Sequence, residues 1–188
     1  MKELSLNILD IAMNSVRAGA TKVEIRLTET DETLTIAIAD DGCGMSPEFL
    51  ANVLDPFSTT RTTRKVGLGL PLLKMEAEQT VGTVTIESRE AKTHPNDHGT
   101  VTTAVFYKNN IDFTPLGDVV SSVVTLIQGS PGLRWIYVHE TPSGAVDVDT
   151  DEMRAVLGDD ARMDDPDILA WLDGYLRENY AEISYPLD

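Results

Sequence analysis

Two neighbouring segments constrain this chain more than anything else in it. "TKVEIRLTE" (21–29) and "ETLTIAIAD" (32–40) both alternate apolar and polar residues, with only Thr30 and Asp31 between them. Period-two alternation wets one side of a strand and buries the other. Two such runs so closely joined predict an antiparallel hairpin, and its apolar side needs a covering layer. The flanking pieces supply one. "ELSLNILDIAMNSVRAG" places Leu4, Ile8, Ile11, Ala12 and Val16 at helical spacing, with Gly19 as a stop. "SPEFLANVLD" starts a helix with Ser46 as N-cap, Pro47 at the first helical position and Glu48 in the first turn. "GLPLLKMEAEQTV" is helical if Pro71 lies in its first turn. "GTVTIESRE" and "GTVTTAVFYK" read as strands joined by the turn-rich "AKTHPNDH".

Adjacent antiparallel strands with helices gathered on one face make an α+β fold, a two-layer α/β sandwich. After "NNIDF" the character changes, and a boundary is expected near residue 111. Residues 1–111 carry 11 basic and 15 acidic groups, whereas 112–188 carry 4 and 16. The second segment reads as a small acidic α/β appendage: a Thr114-capped helix, a hairpin of "LRWIYVHE" and "AVDVDT", and two amphipathic helices. Its aromatic residues Trp135, Tyr137, Trp171, Tyr175 and Tyr180 are expected in the core. A net charge of −16 argues against nucleic acid and anionic membranes as partners. One cysteine, no signal-like run and no apolar stretch of bilayer length lead to the expectation of a cytoplasmic protein.

Four features then fall in order. Asp10 and Asn14 lie four apart on one helix face. "DDGCGM" (40–45) ends the second strand, the basic, aperiodic "STTRTTRKV" leads into "VGLGL", and "HGTVTTAVF" opens the last strand. Singly, each has an ordinary reading: helix-surface decoration, an Asx turn with glycines, a solvated loop, helix punctuation. Asp41 reads as exposed turn, Cys43 as packing, and His94 and His98 as exposed in their connector.

Taken together, "ILDIAMNSVRAGATKVEIRL", "DDGCGM", "DPFSTTR", "VGLGLPLLKMEAEQTVGTVTIES" and "GTVTTAVF" resemble the N, G1, F, G2 and G3 boxes of the GHKL (Bergerat-fold) ATP-binding superfamily. That superfamily includes DNA gyrase, heat-shock chaperones, histidine kinases and mismatch-repair ATPases. The stretch from "DPFSTTR" to "VTIES" is most similar to sensor histidine kinases, while "NSVRAGAT" is closer to the mismatch-repair version. The resemblance runs from residue 3 to about 107.

It implies ATP and Mg²⁺ as cofactors. Asp40 would accept the adenine amine, with Gly42 and Gly44 letting the backbone approach the base without a Cβ clash. Asn14 would be the Mg²⁺ ligand. Asp10 stands where hydrolytic members carry a water-activating Glu. It is one methylene shorter, which suits phosphotransfer and weakens hydrolysis. Residues 58–66 match the mobile lid, where Arg61, Arg64 and Lys65 would face the triphosphate. Phe57 would pack that lid. Gly67, Leu68 and Gly69 would offer backbone N–H groups at a helix N-terminus, and Thr100 would reach adenine from the pocket floor. The same boxes place Met45, Thr59, Thr60, Val66 and Leu70 among the nucleotide-binding residues. Lys74 reads as a surface lysine.

No acceptor-helix histidine precedes the first box, and His139 lies in an expected strand. The expectation is therefore a stand-alone histidine-kinase-like ATP-binding protein, a protein kinase or weak ATPase in signal transduction, working on a separate partner protein. One alternative is an ATP-gated binding or homodimerisation module with slow or no hydrolysis. A lesser one is an anti-sigma-like serine kinase.

Overall fold

A computed structural model describes residues 3–55, 68–158 and 160–187. Helix α1 (Leu4–Arg17) leads into β1 (Lys22–Glu29) and β2 (Thr33–Asp40). A single-turn α2 (Pro47–Leu50) and α3 (Gly69–Gln79) precede β3 (Thr83–Arg89) and β4 (Gly99–Tyr107). The remainder is α4 (Val119–Gly129), β5 (Arg134–Thr141), β6 (Gly144–Asp149), α5 (Thr150–Leu157) and α6 (Pro166–Glu182).

The alternation works as the sequence predicts. Ile25 stands opposite Ile38 and Leu27 opposite Ile36 in the β1–β2 register, and all four are buried. Leu4, Ile8, Ile11 and Ala12 of α1, Leu73 and Ala77 of α3, and Leu172 and Leu176 of α6 are buried in the same core cluster as that strand face. The result is the expected α+β two-layer sandwich. Its sheet is mixed, in the order β3-β4-β2-β1-β5-β6, and among the described strands only the β1–β5 pair is parallel.

Residue 111 marks a change in composition but no break in the sheet. β5 pairs with β1 from Lys22–Arg134 to Thr28–Glu140, so the acidic segment extends the same layer. It also completes α1. Glu3 makes no side-chain cap, and the Leu4 and Ser5 amides donate instead to the carbonyls of Pro115 and Leu116 at 2.9 and 2.8 Å. These are first-turn donors that no intrahelical acceptor can reach.

Two helix ends differ from simple reading. The cap of α4 is Asp118, which accepts the Ser121 amide, and not Thr114; Pro115 and a left-handed Gly117 (φ 73°) keep the preceding backbone non-helical. At the end of α3, the Gly82 and Val81 amides return to Ala77 and Glu78 carbonyls, closing the helix with Val81 at φ 65°.

A polar network lies inside the apolar layer where β1 meets β5. His139 is fully buried; its Nε2 donates to Glu29 Oε1 at 3.2 Å and its Nδ1 lies 2.8 Å from the Tyr180 hydroxyl. Tyr180 bonds Tyr137, Tyr185 donates to Glu29, and Lys108 Nζ donates to Glu29 Oε2 at 2.7 Å. Burial alone would raise the pKa of Glu29. The hydrogen bonds from His139, Lys108 and Tyr185, with the Lys108 charge, override that and lower it from 4.5 to about 2. Trp135, Tyr137 and Tyr180 are core, as expected. Trp171 and Tyr175 are not: they lie exposed on α6, because its core stripe is already filled by Leu169, Leu172, Leu176 and Tyr180. None of the described helices is long and apolar enough to cross a membrane.

Candidate functional site

β2 delivers Asp40 to a cleft of about 310 Å³ between α1 and the sheet. Along α1, Ile11, Asn14, Ser15 and Arg17 line it, with Ala18 at its C-cap, while the strands contribute Ile38, Asp40, Thr100 and Thr102. Cys43, Gly44, Met45, Phe49, Val53 and Leu70 complete the enclosure. Apolar surface with a few placed polar groups is the usual make-up of a small-molecule site.

Both oxygens of Asp40 are oriented by the protein. Oδ1 accepts the Gly42 amide at 2.9 Å and Oδ2 accepts the Ser15 hydroxyl at 2.6 Å. A carboxylate offers about four acceptor positions, so capacity remains for a further donor in the cleft. Its neighbour does different work. Asp41 accepts the Thr21 amide and hydroxyl at 2.7 and 2.5 Å and the Lys22 amide at 2.9 Å, clasping the start of β1 to the end of β2. Burial would raise its pKa, but these bonds outweigh that and hold it below the ordinary carboxylate value. The exposed turn expected at Asp41 is therefore a half-buried clasp.

The glycines answer to protein crowding. A Cβ at Gly44 (φ 65°) would stand 1.9 Å from the Arg89 carbonyl oxygen, and one at Gly42 would stand 2.8 Å from the Ala18 Cβ. Gly44 is required by the close approach of the Arg89 backbone, and Gly42 by the side chains of Ala18 and Asp40. Further bonds brace this loop. The Met45 amide donates to Ser88 Oγ at 2.8 Å, and Ser88 Oγ lies 2.9 Å from Thr100 Oγ1. His98, expected to be exposed, is half-buried, and its Nδ1 donates to the Gly42 carbonyl at 2.7 Å. His94 is exposed, as expected. Cys43, expected to pack, is exposed at the cleft, because its amide is held by the Ala18 carbonyl at 2.9 Å while its side chain turns outward.

Asn14 lines the cleft with its Oδ1 accepting Arg17 Nη1 at 3.0 Å. Asp10 is not among the lining residues. It lies against the first residue of α3, where a Cβ added to Gly69 would meet Asp10 Oδ2 at 2.4 Å. The positive end of the α3 dipole favours a carboxylate there. Leu68 is the exposed N-cap of α3, and Leu70 is buried and lines the cleft. Lys74 is a surface lysine, 3.7 Å from Glu78. Phe57, Thr59, Thr60, Arg61, Arg64, Lys65, Val66 and Gly67 lie outside the described residues. Among the described residues no three His, Cys, Asp or Glu cluster in a way that could hold a metal ion.

Sequence reasoning missed Ser15, Ser88, Phe49 and Val53. Ser15 carried a signal, since it is a polar residue four positions after Ile11, on the apolar stripe of the helix. The others are placed only by the folding of distant segments.

Fold and cleft define a two-layer α+β protein with a carboxylate-bearing, largely apolar cleft between its first helix and its sheet. The family model described as "Histidine kinase-, DNA gyrase B-, and HSP90-like ATPase" matches residues 1–110, and the chain belongs to that family. Over 85 residues it is 31% identical to the "Probable C4-dicarboxylate sensor kinase" of Bacillus subtilis, covering 44% of this chain and 16% of that one. Over 83 residues it is 32% identical to the sensor histidine kinase CpxA of Escherichia coli, covering 42% and 18%. The aligned part thus spans under a fifth of either relative, and it is a histidine-kinase-like ATPase domain. The crystal structure of the N-terminal domain of a DNA repair protein superposes with a TM-score of 0.50 at 14% identity, covering 79% of this chain and 52% of that one. That likeness is one of fold.

Proposed function

We propose that the chain binds Mg-ATP in the Asp40 cleft and transfers its phosphoryl group to, or signals through, a protein outside these 188 residues. The observation that carries this reading is the Asp40 carboxylate, oriented by Ser15 and Gly42 and lying between apolar walls. Adenine presents a flat apolar ring with one amine, and this donor set fits it: Ile11, Ile38, Val53 and Leu70 for the ring, Asp40 for the amine. Asn14 supplies the oxygen that would hold Mg²⁺, a hard cation that prefers such ligands. Arg17 beside it adds positive charge near the phosphates. Bound ATP would supply an activated γ-phosphoryl group. The protein's part is then to fix its position and balance its charge. Asp10, lying against Gly69, suits transfer to a nucleophile that needs no water activation.

The state of the three histidines supports an acceptor outside these 188 residues. His139 is buried without exposure, His98 is held by Gly42, and His94 lies in a turn. The test is incubation with γ-labelled ATP and candidate response-regulator or kinase-partner proteins. Acid-labile label on a partner is expected, and acid-stable label would mark a serine kinase instead. If no partner is labelled while ATP is bound, transfer is wrong.

A second reading is an ATP-gated binding or dimerisation module. It draws on the bonds from the first turn of α1 to Pro115 and Leu116, which join one cleft wall to the acidic segment. A non-hydrolysable ATP analogue that leaves the oligomeric state and partner affinity unchanged would count against it.

A further inference from the structure

At the far edge of the sheet from the Asp40 cleft, β6, α5 and α6 enclose a groove of about 480 Å³. We infer that this groove is a docking site for a basic amphipathic segment of a partner protein, one that carries apolar side chains flanked by Lys or Arg.

The apolar wall of the groove begins with α5. This helix has eight residues and buries only Thr150. So short a helix holds in water mainly through packing of one face. The side chains that should do this, Met153, Val156 and Leu157, line the groove, with Val156 86% and Leu157 50% exposed. Across from them, Trp171 and Tyr175 stand one turn apart on α6, their rings stacked at 5.1 Å and 15°. Trp171 is 57% exposed. Scattered apolar residues on a surface need no explanation, but a concave, continuous set contributed by two helices does. A groove between helices takes an apolar helix face as its natural complement.

The charge identifies what flanks that face. Among the described residues, every charged side chain lining the groove is acidic: Asp147, Asp149, Glu152 and Asp167. Asp149 is held by Arg134 at 2.6 Å, while Asp147, Glu152 and Asp167 stand exposed at the rim. Among the described residues of 112–188, no arginine is free to neutralise them. The four in residues 112–188 are each paired: Arg134 with Asp149, Arg154 with Asp151, Arg162 with Asp164, and Arg177 with Asp118 and Asp173. A second copy of the chain would bring the same acids face to face, so the complement is a basic segment of a different protein. The groove shares no lining residue with the Asp40 cleft, and the inference stands whether or not that cleft binds nucleotide.

The probe is a tryptophan-free helical peptide of Leu and Lys, about 18 residues long, compared with its Leu and Glu counterpart. Trp135 is buried, so in a Trp135→Phe background the emission reads Trp171 alone. The basic peptide should blue-shift that emission with saturable, salt-sensitive one-to-one binding, and the acidic peptide should not. Val156→Ser and Glu152→Lys, both at exposed positions, should each weaken binding by about tenfold or more. Three results overturn the inference: no emission change, equal affinity in the variants, or a dimer in sedimentation that Val156→Ser dissociates.

Discussion

The Ser15 hydroxyl donates to Asp40 Oδ2 at 2.6 Å, joining the last turn of α1 to the last residue of β2. Ser15 is buried, and its partner is charged. Ser15→Ala therefore removes a bond of a kind worth about 1.5–3 kcal/mol and frees the carboxylate to rotate. Thermal unfolding should register the loss of stability, and ATP affinity should fall with it. Unchanged stability and affinity would mean that Asp40 is held by Gly42 alone.

Cys43 is exposed beside the same cleft. A maleimide should label it quickly in the free protein and slowly in saturating Mg-ATP. Equal labelling rates would place any bound nucleotide elsewhere.

The local pattern was legible because it is local. Alternation in 21–29 and 32–40 specified the hairpin, and Ser46-Pro47 specified the start of α2, confirmed by the Ser46 hydroxyl accepting the Phe49 amide. Four of the five motifs bring Asn14, Asp40, Gly44, Met45, Leu70 and Thr100 into one cleft. The parallel pairing of β1 with β5 was not legible. It joins residues more than a hundred positions apart, and nothing in either strand names its neighbour. The role of Asp41 is not legible for a related reason: its clasp depends on Thr21 and Lys22, which meet it only once the hairpin forms. Thr114-Pro115 imitates a helix start, yet the side chain that accepts an amide is Asp118.

Glu29 makes stability depend on acid. In the folded state its pKa lies at about 2, against 4.5 in the absence of its partners. Its contribution is whole above pH 4.5 and is lost as pH falls toward 2, because the unfolded chain binds the proton first. Denaturant unfolding between pH 6 and 2 should show stability falling through that window. Glu29→Gln should be less stable at neutral pH and show a shallower decline. An unchanged slope would remove Glu29 from the account.

Val81 is a β-branched residue held at φ 65° where the end of α3 calls for glycine, and it is exposed. Val81→Gly should relieve a strain of about 1–2 kcal/mol, less about 1 kcal/mol for the added freedom of the unfolded chain. A small rise in Tm is expected, and a fall would show that the Val81 side chain packs usefully.

The central claim is that Asp40 clasps the amine of a purine nucleotide. Asn at this position keeps the shape and one acceptor oxygen, and Ser15 can reverse its bond, so Asp40→Asn should fold. Calorimetric titration of Mg-ATP should give saturable binding to the wild-type chain and a loss of about 1.5–3 kcal/mol in Asp40→Asn. Equal affinities in the two proteins, or no heat of binding in either, would contradict it.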